Sequence, residues 1–500
     1  MHWRRKTDMK KYILPLMLLP FVAGAQPLSL KDAVSIGLKN SFDIQSEKVL
    51  IEVRKEQITQ EDAKFDPIVT ANAGAKFSDM PTAYAPYNTD YLREKTYSAS
   101  AGISKLHHAG FTGAFSLSSR RLDTNNPYEN LDPSYKTVLR MDLTLPILKN
   151  FGKDINATGL KQREIAMQQA RLELYSKMVG KTEEIETAYR NLARTTEVLK
   201  LNISARELAS ELLESDRKRF NAGIVPITEV QEAEAAVAVR DEQVVLAKTG
   251  VADAMNKLNS LLNPMEYYDE LTTEPLAKNW IEVSTGEEYE TALKARPDIE
   301  NLRAELAKQD LTIKYLKNQE LPELDVVNTL GVIGLSGSER TDNHFEGNYA
   351  DSLYDMSDAE GYEAYIGLSF KYPLGQRASK AQTAAANSEK RRAVYRLKNS
   401  EVLIKKEIHD AATIITNSKE RYEISLTSIR LAETTLEQEM KKLKEGLSDT
   451  FRILKFQNDV ISAKIRSVNA LYDYNRGIAM LYKADGTNLD RLGFKIGEND

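Results

Sequence analysis

The chain carries the same turn twice. Arg219-Phe220-Asn221-Ala222-Gly223-Ile224-Val225-Pro226 lies between two long helical patterns. Lys442-Leu443-Lys444-Glu445-Gly446-Leu447-Ser448-Asp449 lies between two more, with the glycines 223 residues apart. Each turn follows, at a distance, a short alternating strand that ends in proline, at Pro146 and at Pro373. Repetition on this scale is one supersecondary unit built twice, and it constrains the fold more than any bulk property does.

The repeat divides the chain. The first copy covers 26–263: a helix over 28–64, a strand region over 67–146, a long helix over 155–220, a tip at 221–226 and a return helix over 227–263. A linker over 264–285 follows. The second copy covers 286–484, with a helix over 286–320, strands over 322–373, a long helix over 379–445, a tip at 446–449 and a return helix over 450–484. Residues 485–500 form a tail.

The long helices have a seven-residue step. Ile408, Ile415, Tyr422, Ile429, Leu436 and Leu443 mark one seam. Met178, Ile185, Leu192 and Leu199 mark another, and Val230, Val237, Val244, Val251 and Leu258 a third. A sustained step of seven predicts coiled-coil packing. Some 65 residues without proline would span roughly 100 Å. Each opening helix plus one return helix matches that length, which predicts two antiparallel helical pairs per chain.

The strand regions change period to two. Val69, Ala71, Ala73, Ala75 and Phe77 alternate with Thr70, Asn72, Gly74, Lys76 and Ser78. Thr137, Leu139, Met141, Leu143 and Leu145 alternate with Lys136, Val138, Arg140, Asp142 and Thr144. Ile366, Leu368, Phe370 and Tyr372 alternate with Tyr365, Gly367, Ser369 and Lys371. These are strands with one apolar and one polar face. Four strands per chain are expected, two from each copy. Two further alternating pieces near 96–106 and 111–121 are set apart as an extra hairpin or extended loop.

Composition narrows the class. After the N-terminus no run of 18 apolar residues occurs, which excludes a helical membrane protein. Residues 1–25 read as an export signal: Lys10 and Lys11, an apolar core, then Ala23-Gly24-Ala25 before Gln26. Removing them takes five Lys/Arg and one Asp from totals of 68 and 73, leaving a net charge of −9. That balance argues against a nucleic-acid partner. There is no cysteine, so no disulfide, thiolate site or lipidated cysteine can exist. None of the five histidines, His2, His107, His108, His344 and His409, has zinc-motif spacing. No phosphate loop or nucleophile elbow is present. The reading is therefore no enzyme, no catalytic residue, no metal and no cofactor.

Four strands cannot close a barrel, and open edges with apolar faces would aggregate in water. In an outer membrane, closure solves both problems, with apolar faces outward and polar faces inward. Closure then requires several copies, and three copies of four strands give a twelve-stranded barrel with a water-wide lumen. Lys76, Lys136, Arg140 and Lys371 are the lumen candidates. A soluble periplasmic coiled-coil scaffold is the rival, but it leaves the strand alternation unexplained.

On these residues, and on the tip from Phe220 to Gln231 above all, the chain resembles the TolC-like outer-membrane efflux protein family over nearly its whole mature length. The resemblance implies a mainly α fold with β: long antiparallel helical hairpins forming an α-barrel, joined to a transmembrane β-barrel, as a homotrimer in the outer membrane of a Gram-negative bacterium. It implies docking to a periplasmic adaptor and an inner-membrane transporter, and export of drugs, toxic compounds or metals. Type I protein secretion is the alternative. By the same analogy Arg219, Gly223, Ile224, Val225, Pro226, Gly446 and Leu447 meet the adaptor. The family closes its periplasmic end with acidic residues after the second tip. Here those positions are the basic Arg452 and Lys455, while Glu229 and Glu232 flank the first tip. An ion-pair latch between the hairpins and a selectivity ring of changed sign both fit that pattern.

Overall fold

The computed structural model describes residues 27–83, 87, 89–340, 346–359 and 361–494; the expected export signal lies outside them. Helices α1 (Leu30–Asn40) and α2 (Phe42–Asp62) precede strands β1 (Ile68–Pro81), β2 (Tyr91–Leu106), β3 (Thr112–Thr124) and β4 (Leu131–Pro146). Then come α3 (Lys153–Asn156), the 64-residue α4 (Thr158–Asn221), α5 (Ile227–Leu262), α6 (Thr285–Ala295) and α7 (Pro297–Gln319). The second half continues with β5 (Glu323–Glu339), α8 (Tyr349–Ser357), β6 (Gly361–Lys371), the 68-residue α9 (Arg377–Lys444), α10 (Thr450–Ala484) and α11 (Asn488–Arg491). No described helix is long and apolar enough to cross a membrane.

The chain forms two compact units. Among the described residues, the first contains 27–41, 181–283 and 410–481. Its core follows the seven-residue step: Ile185, Leu192, Val230, Leu258, Ile415 and Tyr422 are buried. The other positions of those seams within this unit, such as Val237, Val244 and Leu436, are half-buried. The C-terminal ends of α1 and α5 are stitched together. Asn40 Nδ2 donates to Leu262 O at 3.2 Å, and Asn263 Nδ2 donates to Asn40 O at 3.0 Å. The irregular strap after α5 is fixed by aromatics. Trp280 meets Tyr474 edge-on at 4.5 Å, and the Tyr474 hydroxyl donates to Asn279 O while accepting from Ile281 N.

The second unit contains, among the described residues, those within 42–180, 284–409 and 482–494. Its centre is one antiparallel meander in the order β1-β2-β3-β4-β5-β6. This corrects the expected strand count: among the described residues the sheet has six strands per chain, not four. The two pieces set apart as a hairpin or loop are β2 and β3, and both belong to the ladder. Alternation reveals a strand but not whether that strand joins the main sheet.

Register aligns the faces. Ala71, Ala101, Leu117 and Leu139 are successive partners across β1 to β4, and Val332 and Tyr362 continue the row. Val69, Phe77, Phe115, Ile366, Leu368 and Phe370 stand exposed on this same apolar face. The other face carries Thr70, Ser98, Ser100, Ser118, Arg120, Lys136, Arg140 and Asp142. Short α8 packs on the apolar face over β4 and β5. Its Ser352 hydroxyl lies 2.8 Å from that of buried Thr137, and Ser336 Oγ donates to Asn348 O at 2.6 Å. Gly334 permits the approach, because a Cβ there would collide with Ser352 O. The helix thus covers hydroxyls that would otherwise interrupt the apolar face.

Candidate functional site

The two glycine turns are the same structure at atomic level. After α4, Gly223 takes φ 73°, Gly223 N–H donates to Phe220 O at 2.8 Å and Ile224 N–H to Arg219 O at 2.9 Å. After α9, Gly446 takes φ 76°, Gly446 N–H donates to Leu443 O at 3.1 Å and Leu447 N–H to Lys442 O at 2.8 Å. Both are Schellman closures, in which a left-handed residue turns two N–H groups back onto the last helical carbonyls. Ile224 and Leu447 follow the glycines and are 67% and 69% exposed. Phe451 is exposed nearby, whereas Val225 is buried. Pro226 is the N-cap of α5; the equivalent Asp449 caps α10, accepting from Arg452 N at 2.8 Å.

About two turns before each glycine lies an acid that the sequence pattern alone does not single out. Asp216 is fully buried and Glu439 nearly so. They stand 223 residues apart, so the repeat offset itself marks them. Each meets the base three residues on: Arg219 Nη1 lies 3.3 Å from Asp216 Oδ1, and Lys442 Nζ lies 3.0 Å from Glu439 Oε2. Ser448 Oγ donates to Glu439 Oε1 at 2.6 Å. That bond, followed by the Lys442 ammonium, holds the Glu439 carboxyl below the ordinary glutamate range.

Thr450, the first residue of α10, joins the two hairpins. Its hydroxyl reaches Asp216 Oδ2 at 2.7 Å and Glu229 Oε2 at 3.0 Å. A hydroxyl has one proton, so two carboxylates share one donor. Arg219 supplies the balancing charge, touching Asp216 and, at 3.8 Å, Glu229.

The remaining sequence candidates are placed as follows. Arg452 finds its partners within its own hairpin, Glu439 at 3.8 Å and Asp449 at 3.7 Å. Glu232 and Lys455 are exposed. Glu229 and Arg452 occupy equivalent repeat positions, so the sign of charge inverts between the tips. At the tips the tie between hairpins runs through Thr450, while Arg219 balances the charge of Asp216 and Glu229 within the first hairpin; neither residue is among those the sequence offers for a latch. On the sheet, Arg140 Nη2 meets Glu363 Oε2 at 2.8 Å, spanning β5 over Gly331. Lys76, Lys136 and Lys371 lie exposed on the same polar face.

The family model described as "Outer membrane efflux protein" matches residues 109–264 and 289–487. The chain belongs to the outer membrane efflux protein family. These are outer-membrane, pore-forming proteins rather than enzymes, and membership places this protein in the outer membrane of a Gram-negative bacterium. Outer membrane protein TolC of Escherichia coli (strain K12) is 24% identical over 306 residues, 58% of this chain and 57% of that protein. The chain thus aligns with little more than half the length of the curated relatives it matches. The fold is shared with the outer-membrane channel OprN, at TM-score 0.65 and 16% identity, covering 92% of this chain and 90% of that one. It is shared also with the CmeC outer membrane channel of Campylobacter jejuni, at TM-score 0.63 and 16% identity, covering 92% and 86%.

Proposed function

We propose that three copies of this efflux-family chain form an export duct through the outer membrane. Its helical tips dock on a periplasmic adaptor and an inner-membrane transporter, and small molecules leave through it. The observation that carries this reading is the tip itself. Exposed apolar Ile224, Leu447 and Phe451 stand beside a polar tie between two hairpins of one chain. Exposed apolar side chains grouped at a helical turn are a protein-docking feature. The tie of Asp216, Arg219, Glu229 and Thr450 is the part whose opening would let the two hairpins separate.

A photo-crosslinking residue at Ile224 or Leu447 is expected to capture a periplasmic adaptor in living cells, with no adduct from the exposed Val245 on α5. Equal labelling at all three positions, or none at the tips, would reject docking there. The captured adaptor's class separates small-molecule efflux from type I protein secretion.

A further inference from the structure

The hairpin β2–β3 is the feature that the proposed trimeric duct does not absorb. Its strands are 16 and 13 residues long, against 14 for β1 and 16 for β4. About 9–11 residues suffice to cross a bilayer as a tilted strand. The hairpin also reaches the full height of the sheet. Its turn is tied to the end where the helices enter: His108 packs on Phe65 at 4.0 Å, and Gly152 N–H donates to Ala109 O at 3.0 Å. Both strands keep the common faces, with Tyr97, Ala99, Ala101, Ile103, Phe115 and Leu117 on the apolar one. A loop lying in water has no reason to keep that alternation in register with its neighbours.

We propose that β2 and β3 are wall strands of the barrel, so that the trimer closes through eighteen strands rather than twelve. This rests on the three-copy reading above. Among the described residues of one chain, β1 and β6 each pair on one side only. Six is an even number, so these two edge strands run in opposite directions. The β6 edge of one copy therefore receives the β1 edge of the next as an ordinary antiparallel pair, and the occupant of each open edge is a second copy of this chain. With strands about 4.8 Å apart and tilted about 40°, eighteen give a backbone diameter of about 36 Å, against about 24 Å for twelve. A wall of that width leaves an aqueous channel. The inserted hairpin also sets Arg120 directly opposite Lys136 on the lumen side. The barrel is then a wide, locally basic vestibule, and size selection falls to the tips.

The absence of native cysteine makes the test direct. Ala71 and Ala101 are paired across β1 and β2, within disulfide reach. Ala71 and Leu139 are three strands apart, about 14 Å, and out of reach. If the hairpin lay outside the wall, β1 would pair with β4 and the second pair would close instead. A71C/A101C and A71C/L139C chains are oxidised in outer-membrane vesicles, and the solubilised assembly is weighed by native mass spectrometry. The expected result is on the order of tenfold more intrachain disulfide in the first variant, with a mass of three copies. Closure of A71C/L139C, or of neither pair, overturns the eighteen-strand wall while leaving the trimer untouched. Closure of A71C/A101C in an assembly of two copies overturns the trimer and the count of eighteen together.

Discussion

The hydroxyl of Thr450 donates to the carboxylate of Asp216 across 2.7 Å, joining residues 234 apart in sequence. Asp216 is fully buried, so this bond and the Arg219 contact satisfy a charge that has no access to water. Replacing Thr450 by Val keeps the shape and removes the donor. A hydrogen bond to a charged group contributes about 1.5–3 kcal/mol. The local loss should appear as faster amide exchange at the start of α10, with the rest of α10 unchanged.

Arg219 should matter more than its repeat partner Lys442. Arg219→Met leaves Asp216 and Glu229 facing one shared hydroxyl, and stranding a buried carboxylate costs about 3–5 kcal/mol. Lys442→Met leaves Glu439 with Ser448 and Arg452. Thermal denaturation of the two variants should therefore show a clearly larger loss for Arg219→Met. Equal losses would mean that buried Asp216 does not depend on Arg219 for its balancing charge.

The sign inversion at the tips predicts a specific failure. Arg452→Glu restores the acid found at the equivalent Glu229 but sets it against Glu439. Like charges within an ion-pair distance repel, so the second turn should loosen and planar-bilayer conductance should rise. Arg452→Gln, which removes charge without repulsion, should have a smaller effect.

Acid should loosen the second turn as well. Glu439 has a folded-state pKa below its unfolded value, through Ser448 first and Lys442 next. Its contribution is present above the ordinary glutamate range and is lost as pH falls through the lowered value. Amide exchange at Ser448 to Arg452 should accelerate over that acidic window, and Glu439→Gln should remove the dependence.

Gly223→Ala and Gly446→Ala test the turns. Open space surrounds both positions, so the cost is backbone alone, about 1–2 kcal/mol for a left-handed alanine. Adaptor capture should fall with little change in assembly.

Much of this was legible in the sequence because it is periodic. The seven-residue step found Ile185, Leu192, Ile408 and Ile415, all buried, and alternation found both sheet faces. The strand count was not legible, because β2 and β3 alternate as any strand does and only register shows them inside the ladder. Helix α8 was missed for its length: nine residues are too few for a period, and its signal is the capping box of Asn348 and Asp351. Thr450 reads locally as a helix start. Its partner Asp216 is far away in the chain, and only the fold brings them together.

Single-channel conductance of Thr450→Val against the unaltered protein in planar bilayers tests the account most directly. If the tie at Asp216, Arg219, Glu229 and Thr450 holds the tips shut, the variant conducts more, and pairing cysteines across the same tips returns it to the closed level. An unchanged conductance in Thr450→Val, with faster exchange confirming that the bond is gone, would contradict it.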